Sequence, residues 1–290
     1  MSRYVDLVRR TLPQIPLRRV WPVGEGWANF VLDVNDEWIF RFPRTSGDSR
    51  RMETEIRLLA ELEKRFPLPV PHVEYLVRSN RERILFIGYR KLRGRFLPSK
   101  KLSGKQAQIW ASELGRALRA LRRFPRNTGR RLGIRWCETT DGMDRWRWLY
   151  PRIRRRIHPM LPRQLRSADR NYWDSYLRDL IRRTMPPELN HGDLFPHHIL
   201  VDDQGITGVL DWEDACYEDP VGNVTGLPIA DGFADRVVQG YLGDKEVEVA
   251  SRLAFHRHAV PAYSILYGLD NREPRRVRQA LADYAKTLPP

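Results

Sequence analysis

A tight cluster of acids and histidines brackets one short apolar hairpin within Leu189–Asp219, LNHGDLFPHHILVDDQGITGVLDWEDACYED, and this stretch constrains the fold most strongly. His198–Val201 and Ile206–Asp211 are short β-branched runs, and Asp202-Asp203-Gln204-Gly205 between them is a turn cluster whose glycine supplies positive φ. A turn centred between Asp203 and Gln204 sets Val201 opposite Ile206 and Asp211 opposite about Pro196, close to His198. The preceding loop, His191 to Pro196, then lies at the same open end. One metal-sized pocket is predicted to see Asp193, His198 and Asp211. Its hard oxygen ligands suit Mg²⁺, and a carboxylate left free of the metal can orient an attacking hydroxyl. Taken singly, each acid also reads as a solvated turn residue and each histidine as a strand cap. Their joint placement around an otherwise apolar hairpin favours a site.

The N-terminal third reads as a small sheet. Val20 to Phe30 is strand, glycine turn, strand, with Gly24 and Gly26 in the turn, and Ala28–Val34 with Glu37–Phe42 form a hairpin closed at Asn35-Asp36. Trp38, Phe40 and Phe42 alternate onto one face, leaving Ile39 and Arg41 on the other. A cation flanked by apolar strand residues invites an anionic partner. Ser49–Phe66 is predicted as a helix with Met52, Ile56, Leu59 and Phe66 on one stripe, ended by Pro67, and Glu55 lies beside that stripe. Arg83–Lys91 reads as a buried strand that breaks at Leu92-Arg93-Gly94. Ser103–Phe124 follows as a helix with Ser103 as cap.

With 290 residues and 41% hydrophobic content the chain can bury one or two cores. It has no apolar run long enough to span a bilayer and no signal-like start, so a cytoplasmic setting is expected. Cys137 and Cys216 form no CxxC pair, which fits a reducing compartment, and Cys216 reads as a small buried thiol. The net charge of +15 is uneven: Leu121–Arg183 holds 18 arginines against 6 acids, whereas Val201–Ala250 holds 12 acids against 2 basic residues. The basic half, centred on WRWLYPRIRRRIHPMLPRQLR, suits nucleic acid or an anionic surface. It suits a helical hairpin with solvated arginines better, since it carries no nucleic-acid motif. Trp136, Trp146, Trp148 and Trp173 in it read equally as core or as substrate wall.

HxDxxxx(N/H), then a short hairpin and an Asp, here His191 to His198 and Asp211, resembles the catalytic loop and metal-binding Asp of the antibiotic kinases. These are the aminoglycoside and macrolide phosphotransferases, relatives of protein kinases. The run GEG-W-A-N-F…WIFRFPR…ETEIRLLAEL…FPLPVP…ILFIGYRKLRG is similar to the N-lobe of the 2''-aminoglycoside phosphotransferases in order and spacing. The resemblance spans Val20 to Gly268 and is specific in that run and in the hairpin.

What it implies is an α+β, two-lobe protein-kinase-like fold, with a nucleotide-binding antiparallel N-lobe over 1–92 and a mainly helical, catalytic and substrate-binding C-lobe over 93–290. Asp193 resembles the catalytic Asp, while His198 and Asp211 resemble the Mg²⁺ ligands. Gly24 and Gly26 resemble the phosphate loop, Arg41 and Glu55 the strand-helix ion pair that fixes the phosphates, and Tyr89, Arg90, Lys91 and Leu92 the purine-binding hinge. The donor is ATP or GTP. The acceptor is a hydroxyl of a cationic antibiotic, an aminoglycoside first, held by acids among Glu213, Asp214, Glu218, Asp231, Asp235, Asp270 and Glu273. A macrolide or another metabolite, or a homologue that binds nucleotide without turnover, are the alternatives. A monomer without nucleic-acid or membrane partners is expected. The chain departs from the family's pattern at Arg41, where Lys is usual, at Trp212-Glu213 in place of Phe-Gly, and at Asn223, where an acid is common.

Overall fold

A computed structural model describes residues 1–25, 28–136, 144–180, 186–243 and 246–288. Its first element, helix α1 (Ser2–Thr11), lies outside every pattern read above. Strands β1 (Val20–Glu25), β2 (Asn29–Val34) and β3 (Trp38–Pro43) follow, then α2 (Ser46–Leu62), β4 (Val73–Arg78) and β5 (Ile84–Arg90). The five strands form one antiparallel sheet in the order β1-β2-β3-β5-β4. The alternation in β3 sorts its two faces: Trp38, Phe40 and Phe42 bury against Val8 and Leu12 from the α1 side, while Ile39 packs with Met52 of α2, Ile87 and Tyr89. Asn35 and Asp36 both take left-handed backbone, φ 63° and 60°, as the tight β2–β3 turn demands. The second helix starts three residues before the expected Ser49, because Thr45 and Asp48 close a reciprocal capping box; it ends at Leu62, and Phe66 stays buried in the turn beyond it.

The remaining chain is mostly helical. β6 (Arg95–Phe96) leads into α3 (Lys105–Leu121), which starts two residues after the expected Ser103 because Gly104 holds the cap position at φ 90°. Next come α4 (Arg126–Leu132), β7 (Arg135–Trp136), α5 (Asp144–Arg152), a π-helical turn over Ile153–Ile157, and α6 (Arg163–Leu180). Then follow β8 (Glu188–Asn190), β9 (Ile199–Val201), β10 (Ile206–Val209), β11 (Cys216–Glu218), α7 (Gly222–Thr225), α8 (Phe233–Leu242), α9 (Glu246–Asp270) and α10 (Pro274–Lys286). Two small sheets, β10-β9-β6 and β7-β11-β8, stitch this part together. Where α3 meets α8, a Cβ on Gly115 would sit 2.9 Å from the Cα of Gly240, so glycine alone permits the approach.

The arginine-rich segment folds as a helical hairpin: Ile153 and Ile157 are buried while Arg154 and Arg155 face solvent. Trp146 and Trp173 are core, packed with Phe255; Trp136 stacks on Tyr217, and Trp148 is exposed. No helix among the described residues is long and apolar enough to cross a membrane.

A polar knot ties this helical core together. The fully buried Asp169 carboxylate accepts from His158 Nε2 at 2.7 Å, His258 Nε2 at 2.6 Å and the Tyr284 hydroxyl at 2.9 Å, joining α6, α9 and α10. Burial alone would raise its pKa, but the two histidines and Tyr284 hold it below the usual carboxylate range. A depressed carboxylate stabilises the fold above the ordinary carboxylate pKa, and that contribution is lost as pH falls through the folded value. Asp169→Asn is expected to cost about 3–5 kcal/mol, since it breaks a buried charged network from one side. Urea unfolding at neutral pH measures this, and a change below about 1 kcal/mol would show the knot to be dispensable.

Candidate active site

Backbone geometry assembles the loop before the hairpin. Gly192 takes φ 86°, and a Cβ there would lie 2.0 Å from the Asp214 carbonyl oxygen, so the turn accepts glycine only. His191 is fully buried, which pushes its pKa down to about 4 and keeps the ring neutral. Its Nε2–H donates to Leu210 O at 2.8 Å, and its Nδ1 accepts the Asp193 N–H at 3.3 Å, fixing the loop to the hairpin. Buried Asn223 accepts the His191 N–H and donates to Leu189 O and the Tyr241 hydroxyl. Its departure from the family's pattern is therefore absorbed as local structure.

The hairpin pairs Val201 with Ile206, as the pattern predicts. A bulge between Ile206 and Gly208 then shifts the register by one residue, so Leu210 N–H bonds to His198 O and Asp211 does not face Pro196 in simple register. Asp211 sits in left-handed backbone at φ 64°, a conformation that asparagine and aspartate tolerate best among side-chain-bearing residues. Asp193, His198 and Asp211 converge. His198 Nδ1–H donates to the Asp193 carbonyl at 2.7 Å, which leaves the Nε2 lone pair 3.5 Å from Asp211 Oδ2. Two ligands of one octahedral Mg²⁺ with bonds of about 2.1 Å stand about 3 Å apart, so this pair fits a shared cation. Asp193, His197 and His198 also bring potential ligand atoms within 4.8 Å of one another, which adds His197 as a candidate that the sequence pattern did not single out. Asp193 is pushed up to about 6 by burial, with the charges of Asp214 and Asp211 adding and His198 opposing.

Behind the His198–Asp211 pair lies an arginine that bridges three acids. Arg41 Nη1 donates to Glu55 at 2.7 Å, and Nη2 donates to Asp211 at 3.0 Å and Glu213 at 3.1 Å. Burial would lower its pKa, but these carboxylates hold it well above its ordinary value. Glu55, also buried, accepts the Trp212 N–H at 3.1 Å, so α2, β3 and the segment after the hairpin are tied into one unit. Burial raises Glu55 despite Arg41, and raises Glu213 to about 7. Asn29 donates to Glu213 at 2.6 Å. Glu213, read from sequence among the acceptor-binding acids, thus stands beside Arg41.

The hinge candidates lie at the end of β5. Tyr89 is buried close to Arg41 and is pushed up to about 12, chiefly by burial. Arg90 lies 3.9 Å over the Trp38 ring, and Lys91 pairs with Asp33 and Asp36 at 2.6 Å each. Both side chains are thus engaged with the sheet, and the Lys91 N–H is bonded to Glu37 O. Leu92 packs over Gly208. Gly24 lies in the irregular step of the β1–β2 pairing between Pro22 and Glu25, and Gly26 falls outside the described residues.

A cleft opens on the other side of Asp193, and Glu218 lines it. Asp214 is near enough to raise Asp193, and it pairs with Arg135 at 3.3 Å. The other acids stand outside the lining. Asp231 accepts the Leu102 N–H, Asp235 faces Arg257, Asp270 pairs with Arg156 at 2.7 Å, and Glu273 pairs with Arg276 at 2.6 Å. Arg145, Thr225, His256 and Tyr263 line the cleft and were invisible as site residues in the sequence. The one signal was Arg145 within the Trp-Arg run. Cys216 is a buried thiol in β11, as expected.

Solved structures share this architecture. APH(2")-IIia, in complex with GDP and kanamycin, superposes with TM-score 0.91 at 23% identity, covering 99% of this chain and 98% of that one. A macrolide 2'-phosphotransferase, MphH from Brachybacterium faecium, gives TM-score 0.74 at 23% identity over 98% of each chain. APH(2")-IIa with gentamicin gives 0.74 at 15% identity over 99% and 98%. No curated protein sequence matches. The model of the phosphotransferase enzyme family, APH, matches residues 20–255, the span that contains both the Arg41 bridge and the Asp193 loop. The chain therefore belongs to the phosphotransferase enzyme family, with the protein-kinase-like α+β fold of the aminoglycoside and macrolide phosphotransferases.

Proposed function

We propose that this chain transfers the γ-phosphate of ATP or GTP to a hydroxyl of a small-molecule antibiotic. The observation that carries the reading is the convergence of Asp193, His198 and Asp211, with Asp211 also bonded to the buried Arg41–Glu55 pair. Asp193 faces the cleft, orients the acceptor hydroxyl and takes its proton as the oxygen bonds to the γ-phosphorus. The bond from that phosphorus to the β–γ bridging oxygen breaks, and the nucleoside diphosphate leaves. Arg41, held by Glu55, presents its guanidinium to the donor phosphates. His198 and Asp211 would hold Mg²⁺, which when bound neutralises charge on the transferring group. Gly24 is assigned to the phosphates, and the main-chain groups of Tyr89 to Leu92 other than the Lys91 N–H, which bonds to Glu37 O, to the base. The work is positioning and charge neutralisation, so few side chains suffice.

Aminoglycosides and macrolides are the acceptors to test. Mg²⁺-dependent release of ADP or GDP across a panel of both, with Asp193→Asn as control, decides the reading. Nucleotide binding without release for any acceptor would favour a homologue that binds without turnover. His198→Ala is expected to raise the Mg²⁺ concentration for half-maximal turnover by about tenfold or more. A magnesium titration checks this, and an unchanged midpoint would move the metal to other ligands.

A further inference from the structure

Resting on the phosphotransfer reading, we propose that the cleft beside Asp193 selects an amphipathic alcohol with one amine or none over a polycation, and that the Arg145–Glu218 ion pair sets this preference. Leu194, Phe195, Val260 and Tyr263 give the cleft apolar contact surface among polar lining groups that include Arg145 and Glu218. Glu218 is buried beneath them and forms an ion pair with Arg145. Its chain neighbour Asp219, also buried, pairs with Arg252, and His256 Nε2 lies 3.6 Å away. Among the described lining residues, Asp193 is therefore the carboxylate left without an arginine or lysine partner, and it is reserved for the reacting hydroxyl.

The aromatic faces are committed as well. The Arg145 guanidinium stands 5.5 Å from the Trp146 ring centre and 5.4 Å from that of Tyr263, and its Nε donates to the Tyr263 hydroxyl at 2.8 Å. An acceptor ammonium entering here meets a resident cation where it needs a carboxylate or an open ring face. Each additional ammonium must shed water without a matching charge, a cost that grows with the number of amines. An uncharged acceptor face pays no such cost, and Leu194, Phe195 and Val260 offer it apolar contact. Asp270 and Glu273, which could have rimmed the site with negative charge, are already paired with Arg156 and Arg276.

Calorimetric titration of the full chain with Mg²⁺ and a non-hydrolysable nucleotide analogue tests this. The ligands are kanamycin as the polycation and a one-amine macrolide, at low and moderate NaCl. The macrolide is expected to bind at least about tenfold tighter with little salt dependence. Arg145→Gln leaves the Glu218 charge uncompensated and should shift the ratio toward kanamycin. Because that change also strands a buried carboxylate, Val260→Asp on the half-buried wall serves as the second variant, with the same shift expected. Kanamycin binding as tight as macrolide binding, or neither binding while nucleotide does, would overturn the inference. Failure of the phosphotransfer reading shows separately, as absence of nucleotide binding in the same titration; tight macrolide binding would then still support the charge argument for the cleft.

Discussion

Asp193→Asn is expected to lower kcat by about 10²- to 10⁴-fold, the usual worth of a positioned proton acceptor. The substitution keeps size and hydrogen-bonding shape but removes the basic oxygen. The Asp193 carbonyl that receives His198 and the N–H that donates to His191 belong to the backbone and are retained. Thermal stability and the nucleotide dissociation constant should therefore stay close to those of the parent chain. Single-turnover phosphate transfer separates this from a binding defect. Retention of more than about a tenth of the rate would remove Asp193 from the proton-accepting role.

Removing the cation at position 41 should do more structural damage. In Arg41→Met the buried Glu55 loses its partner, and Asp211 and Glu213 lose the charge that holds them together. Stranding a buried carboxylate costs about 3–5 kcal/mol. Nucleotide binding is expected to disappear along with this loss. Arg41→Lys is the informative companion: an ammonium can reach Glu55, but it lacks the fork that spans Glu55 and the Asp211–Glu213 pair at once. Its stability should fall between parent and Met variant, with the larger change in KM for nucleotide. Differential scanning calorimetry with a nucleotide titration reads both. An Arg41→Met variant as stable as the parent would mean that the three-carboxylate bridge does not hold the sheet to the hairpin.

Local pattern carried the elements whose signal is periodic or chiral. The β3 alternation, the Asn35-Asp36 turn and the Val201–Ile206 pairing all appear where residue type dictates backbone or face. Helix starts lie two or three residues from where apolar spacing puts them because capping chemistry sets them: the Thr45 box on α2 and Gly104 before α3. The α1 helix is not legible in the sequence because its apolar stripe has meaning only against the Trp38–Phe40–Phe42 face it covers. The bulge after Ile206 was equally silent, since one extra residue in a strand leaves the apolar run unchanged.

The sequence by itself determined the loop that carries Asp193, the hairpin that returns Asp211 to it, and the strand and helix that carry Arg41 and Glu55. Those are short-range patterns, written in spacing and residue type. Only the tertiary structure decided which acids remain available. Glu213 joins Arg41, Glu218 is matched by Arg145, and Asp270 and Glu273 are matched by Arg156 and Arg276. A carboxylate's partner comes from a different part of the chain in most of these pairs, and burial then sets what the pair is worth. Charge along the sequence can therefore point toward a cationic acceptor while the folded cleft presents a compensated floor.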